Sequence, residues 1–103
     1  DRIKELIKYK GFQVPPAELE AVLITHPSVA DAAVIGIPDE EAGELPKAFV
    51  TLAPGAEAPT LADLQSHVAE HLATYKQVRA LAVLEAIPKS ASGKILRREL
   101  RDE

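Results

Sequence analysis

Cysteine is absent, which rules out disulfides and thiolate metal sites and suits a reducing, cytoplasmic setting. Tryptophan is absent too, and two Tyr and two Phe are the only aromatics, so Leu, Val, Ile and Ala must fill the core. That leaves little from which to build the stacking surfaces of a nucleic-acid binder. Long apolar runs are also missing: the apolar stretches are short and broken by charge or glycine, so none reads as a membrane span. The opening Asp1-Arg2-Ile3-Lys4-Glu5 carries neither a methionine nor a signal peptide's apolar stretch. It runs directly into patterned sequence, as a cut made inside a longer protein would.

A chain of 103 residues, 47% of them hydrophobic, is expected to form one domain. At this size folding buries about 60–70% of the unfolded chain's surface, enough for one modest core. The net charge of −4 is unevenly spread. Residues 1–13 carry four bases against two acids, and residues 76–103 seven against four, while the stretch between holds ten acids and only Lys47. Composition leaves open whether the basic ends meet a small anionic ligand or only solvent.

Periodicity gives a coarse order of elements. Residues 3–14 read as a hairpin, with apolar residues alternating with Lys and Gly11 at the turn. Pro15-Pro16 starts a helix with Leu19, Val22 and Leu23 on one face, ending near His26-Pro27. Val29 to Ile37 reads as a strand, Pro38 to Pro46 as an acidic loop, and Lys47 to Leu52 as a second strand closed by Pro54-Gly55. Thr60 and Asp63 form a capping-box start to a helix with the stripe Leu61, Leu64, Val68 and Leu72. Ala80 to Leu84 is strand-like, Ile87 to Lys94 a loop of small residues, and Ile95 to Arg101 a short basic helix. The expectation is a small α+β domain: a mainly antiparallel sheet with a β-hairpin at the N-terminus and helices packed on it.

Two stretches carry a family resemblance. Asp1-Arg2-Ile3-Lys4-Glu5-Leu6-Ile7-Lys8-Tyr9-Lys10-Gly11-Phe12-Gln13-Val14-Pro15-Pro16-Ala17-Glu18-Leu19-Glu20 resembles the hinge motif opening the C-terminal domain of 4-coumarate–CoA ligases and luciferases. Pro88-Lys89-Ser90-Ala91-Ser92-Gly93-Lys94-Ile95-Leu96-Arg97-Arg98 is similar to the motif bearing the adenylation lysine of the adenylate-forming superfamily. Between them, His26-Pro27-Ser28-Val29 through Gly36-Ile37-Pro38-Asp39 and Gly43-Glu44-Leu45-Pro46-Lys47-Ala48 match the same style. The resemblance covers nearly the whole chain.

It implies that residues 1–103 form the mobile C-terminal lid of an acyl-CoA synthetase whose N-terminal domain lies outside this sequence. The whole enzyme would be an acid–thiol ligase, activating a carboxylic acid with ATP and Mg2+ and passing the acyl group to coenzyme A. The lid alone would be inactive or nearly so. By the same resemblance Lys94 is the adenylation lysine, Arg2 holds the ribose hydroxyls of the adenylate, and Lys4 is the hinge and also binds AMP. Many relatives have Asp at that hinge. Asp1 shapes the approach to it. In the second pose Lys8 and Gln13 would contact the acyl-adenylate, with Lys8 catalytic, while Lys10 and Gly11 line the route of the CoA thiol arm. Gly11 also has a steric reason: without a Cβ its backbone lets a narrow ligand pass closely. A luciferase-type oxidase, a carrier-protein-loading adenylation domain and a non-catalytic interaction domain of the same shape remain alternatives. A carrier-loading domain usually has Asn before Gly-Lys, where Ser92 stands here.

Other signals lead elsewhere. His67-Val68-Ala69-Glu70-His71 fits H-x-x-E-H, but it flanks the apolar stripe and no third-ligand motif follows, so no metal site is expected. Ser92-Gly93-Lys94 ends like a phosphate loop, yet Pro88 stands where that pattern needs Gly and Ile95 where it needs Ser or Thr. Arg97-Arg98-Glu99-Leu100-Arg101 reads as a solvated helix end whose cations complement the helix dipole.

Overall fold

In the computed structural model, which describes residues 6–72 and 76–100, strands β1 (Ile7–Tyr9) and β2 (Phe12–Val14) pair antiparallel across a two-residue turn. Both turn residues have positive φ, Lys10 at 50° and Gly11 at 84°, the requirement of a type I′ hairpin turn. Glycine adopts this freely, whereas Lys10 does so at a cost of about 1–2 kcal/mol. The Lys10 N–H donates to Ala42 O at 2.8 Å and holds the turn in place.

Helix α1 (Pro16–Leu23) follows at once, with Pro15 as N-cap and Pro16 in the first turn, where its missing N–H is not needed. Leu19 and Leu23, four residues apart, are both fully buried. Strands β3 (Val29–Asp39) and β4 (Gly43–Leu52) then pair antiparallel over nearly their whole lengths. The acidic loop expected over Pro38 to Pro46 is therefore only residues 40–42, since both prolines lie inside strands. The pairing tolerates them for a physical reason. Strand β3 is a sheet edge. On its other side β4 meets β1 at Gly43 and β5 only from Lys47 onward, so Pro46 falls between two partners and no N–H is missed.

Strand β5 (Ala80–Val83) runs parallel to β4, giving a five-stranded mixed sheet in which the other pairings are antiparallel. Helix α2 (Leu61–Ala69) packs beside α1 on one face, over Val34, Ala48 and Val50. The opposite face holds Ala33, Ile35 and Phe49, covered by Ile87, Ile95 and Leu100. Both faces are covered, which explains why the centres of β3 and β4 read as continuous apolar runs. The C-terminal helix is shorter than expected: α3 spans Arg97–Leu100 among the described residues. It is not a solvated end either, because Leu100 is 1% exposed and the Arg97 side chain is mostly covered. Arg98 does face solvent, and Arg101 lies outside the described residues.

Thr60 Oγ1 accepts from the Asp63 N–H, and Asp63 Oδ2 accepts from the Thr60 N–H, both at 3.1 Å. The Thr60 backbone and side-chain hydrogen bonds hold the Asp63 carboxyl below its usual 3.8. A carboxyl with a lowered folded-state pKa contributes stability above its unfolded value and loses it as pH falls through the folded one. Asp63→Asn is therefore expected to lower the urea midpoint at neutral pH. The gap from the parent chain should close as pH falls below the ordinary carboxylate value and through the lowered folded-state one.

Candidate functional site

Two lysine-bearing segments stand out, each built by a different part of the sheet. In the hairpin, register places Lys8 directly opposite Gln13, with both exposed, while Ile7 opposite Val14 is buried. The two residues assigned to the acyl-adenylate are thus cross-strand neighbours on one face. The Lys10–Gly11 turn is exposed at the tip, and a Cβ added at Gly11 would meet nothing within 4 Å. Behind the tip, the Tyr9 ring lies near the Lys10 ammonium at 5.5 Å and the Arg79 guanidinium at 4.9 Å. Arg79 Nε is buried with no hydrogen-bond partner among the described residues.

The hairpin is fixed by a residue that sequence reasoning passed over. Glu44 Oε1 accepts from the Lys8 N–H at 2.9 Å, a charge-assisted bond between residues 36 positions apart. Gly36 makes room for this carboxylate, since a Cβ there would lie 2.9 Å from Glu44 Oε2.

The second segment is the Lys94 loop. Ser90 N–H donates to Lys94 O, Gly93 N–H to Ser90 O, and Leu96 N–H to Pro88 O, each at 2.9 Å. Lys89 and Ile95 form an isolated bridge, and Gly93 takes φ 88° at the tip. Ser90 Oγ accepts from the Lys94 N–H at 3.2 Å. The loop is thus a small closed hairpin, with Lys94 exposed at its end. Both flanks are fastened to β3. Lys89 Nζ pairs with Asp31 Oδ2, and Arg97 donates from Nε to Val34 O at 3.2 Å and from Nη2 to Glu20 Oε2 at 2.6 Å. Glu20 Oε2 also accepts from the Val34 N–H at 2.8 Å. Burial pushes the Glu20 carboxyl above its usual 4.5, outweighing the Val34 N–H and the Arg97 charge, which pull it down.

Arg2 and Lys4, with Asp1, lie outside the described residues. The histidines act as a helix joint. His67 Nε2 lies 2.7 Å from Thr25 Oγ1 and 3.1 Å from Val22 O. The Thr25 hydroxyl spends its one proton on Val22 O at 2.6 Å, so Nε2 carries the hydrogen and donates. His26 and His71 rings flank it edge-on, each at 5.2 Å. No three His, Cys, Asp or Glu side chains among the described residues could hold a metal ion.

Comparison with known proteins bears on both segments. The profile of the AMP-binding enzyme C-terminal domain family matches residues 18–94. The chain is 67% identical, over its full length, to 4-coumarate–CoA ligase-like 9 of Oryza sativa, of which it covers 18%. A solved acyl-CoA synthetase from Brucella canis superposes with a TM-score of 0.91 at 38% identity, over 99% of this chain and 19% of that one. The o-succinylbenzoate–CoA synthetase of Bacillus subtilis, solved with its acyl-adenylate intermediate, gives 0.89 at 38% identity, over 100% of this chain and 21% of that one. The 103 residues thus span about a fifth of such proteins. On this match, the chain belongs to the AMP-binding enzyme C-terminal domain family.

Proposed function

We propose that this domain is the mobile lid of a cytoplasmic, AMP-forming carboxylic acid–CoA ligase, with Lys94 serving acyl-adenylate formation and Lys8 serving thioester formation. The observation that carries the reading is the separate mounting of the two lysines. One sits at the tip of a closed loop fastened to β3, the other on a hairpin fastened to β4 through Glu44.

In the first half-reaction a carboxylate oxygen attacks the α-phosphorus of ATP and pyrophosphate leaves. Two anions must meet while charge builds on the phosphoryl oxygens, and a lysine placed there stabilises that charge. In the second, the CoA sulfur attacks the acyl carbonyl, AMP leaves and the thiol proton is lost. Lys8 and Gln13 face this step together, and the Lys10–Gly11 turn lines the path of the thiol arm. Arg2 and Lys4 keep their assignments to the ribose and the hinge. The acid pocket and the phosphate loop belong to a larger N-terminal domain of the same protein. The Mg2+ that accompanies ATP would be held mainly there too, beside the phosphates. The 67% identity to a CoA ligase-like protein supports CoA as the acceptor.

The test takes the full-length protein and a panel of aryl and medium-chain acids. It measures acid-dependent pyrophosphate exchange, then CoA thioester formation from the synthetic acyl-adenylate. Lys94→Ala should strike the first and Lys8→Ala the second. Equal loss of both activities in each variant would overturn the assignment.

Glu44 supplies a subtler check. Gly36→Ala puts a Cβ against its carboxylate, which must swing away because it is the mobile end of the contact. The expected result is thioester formation slowed about 3–10-fold, equivalent to losing one hydrogen bond of ~1 kcal/mol, with pyrophosphate exchange unchanged.

A further inference from the structure

Arg97 stands three residues after Lys94 and is tied into the fold by both ends of its guanidinium. Its fork makes two different contacts at once, Nε to Val34 O and Nη2 to Glu20 Oε2, and the carboxylate it meets also receives the Val34 N–H. Val34 lies on the open edge of β3. The guanidinium thus takes the place of a neighbouring strand's amide, and the carboxylate the place of its carbonyl. Both side chains are mostly covered, at 14% and 12% exposure, so solvent does little to loosen them. At the other flank Lys89 grips Asp31, three residues earlier on the same strand. The loop between is closed by its own backbone hydrogen bonds.

We infer that Arg97, paired with Glu20, is the positioning residue for Lys94, setting where the lysine stands when the loop enters the active site. The inference rests on the proposed role of Lys94 in adenylation. In this role Arg97 acts through the short segment Lys94-Ile95-Leu96-Arg97, whose start is closed by Ser90 and whose end is held at Val34. Lysine in its place would keep the charge but not the two-pronged geometry, so the loop end would shift. A misplacement of about 1 Å costs on the order of 10²-fold in a reaction that depends on alignment.

The experiment uses the full-length ligase with an acid that supports exchange in the panel above, and its synthetic acyl-adenylate. Arg97→Lys and Glu20→Ala are each expected to lower kcat for pyrophosphate exchange by about 10–100-fold with little change in the KM for ATP. The double variant should be scarcely worse than either single one, as for residues acting as one unit. Thioester formation from the acyl-adenylate should stay within about twofold of the parent, because Lys8 is held by Glu44 and not by this pair. A general loss of structure would depress both half-reactions, and that result overturns the inference. So does unchanged exchange in Arg97→Lys while Lys94→Ala abolishes it. If Lys94→Ala itself leaves exchange intact, the adenylation reading has failed, and the positioning role falls with it.

Discussion

Lys94→Ala in the full-length protein is expected, on the proposed function, to lower acid-dependent pyrophosphate exchange by about 10²–10³-fold, or roughly 2.7–4 kcal/mol of barrier. The estimate is that for removing one preorganised charge from a site where negative charge develops. The loop closure should survive, because Lys94 is exposed and its backbone makes the bonds with Ser90 that close the loop. Thioester formation from a synthetic acyl-adenylate should remain within about twofold of the parent. Lys8→Ala should give the mirror image, since its side chain is exposed and its N–H can still reach Glu44. A variant of Lys94 that exchanges pyrophosphate at the parental rate would remove the basis for placing this loop in the first half-reaction.

The second large effect concerns stability. Phe49 is the largest fully buried side chain, and it sits on the sheet face that receives Ile87 and Leu100. Phe49→Ala is expected to cost about 3–5 kcal/mol, the transfer loss plus the cavity left behind. A domain of this size has a total stability of only about 5–15 kcal/mol. Urea unfolding of the 103-residue chain would show a sharply lower midpoint, with the slope little changed if the unfolded state is unaltered. Leu52, at the end of the same strand and partly exposed, is the natural comparison, and Leu52→Ala should cost much less. The Phe49 substitution has a functional corollary as well. Ile95 packs on the same cluster, so a hole under it loosens the loop that carries Lys94.

Local chemistry was the legible part of the sequence. Gly11 at a turn, Pro16 in a helix's first turn and the Thr60–Asp63 cap each depend on residues a few positions apart, and each was found where expected. The two motifs that flag Lys8 and Lys94 are local in the same sense. Pro38 and Pro46 misled because proline usually ends a strand, and nothing nearby reveals that one lies on an edge and the other between two partners. Arg97 misled for a related reason. A charged residue at a helix end is usually solvated, and its carboxylate partner Glu20 lies 77 positions away. Glu44 was visible only as part of a family-like stretch, with no spacing to connect it to Lys8. Contacts that position side chains across the sheet leave no periodic trace, so such residues emerge only once the strands are laid side by side.

Strand β4 also serves as a ruler. The Lys8 strand is tied at Glu44, and the Lys94 loop is tied at Asp31 and Val34, which register opposite Thr51 and Ala48. The moorings are thus four to seven residues apart along the strand, roughly 13–23 Å, with a further ~5 Å across one strand spacing. No side-chain flexing bridges that span. On the proposed lid mechanism, an acyl group bound at one fixed point waits while a body of 11.1 kDa is carried past it, once per turnover. Motions of that kind take microseconds to milliseconds and work against solvent friction. Where they limit turnover, the rate should fall as the medium is thickened with sucrose, although no bond is made or broken any differently.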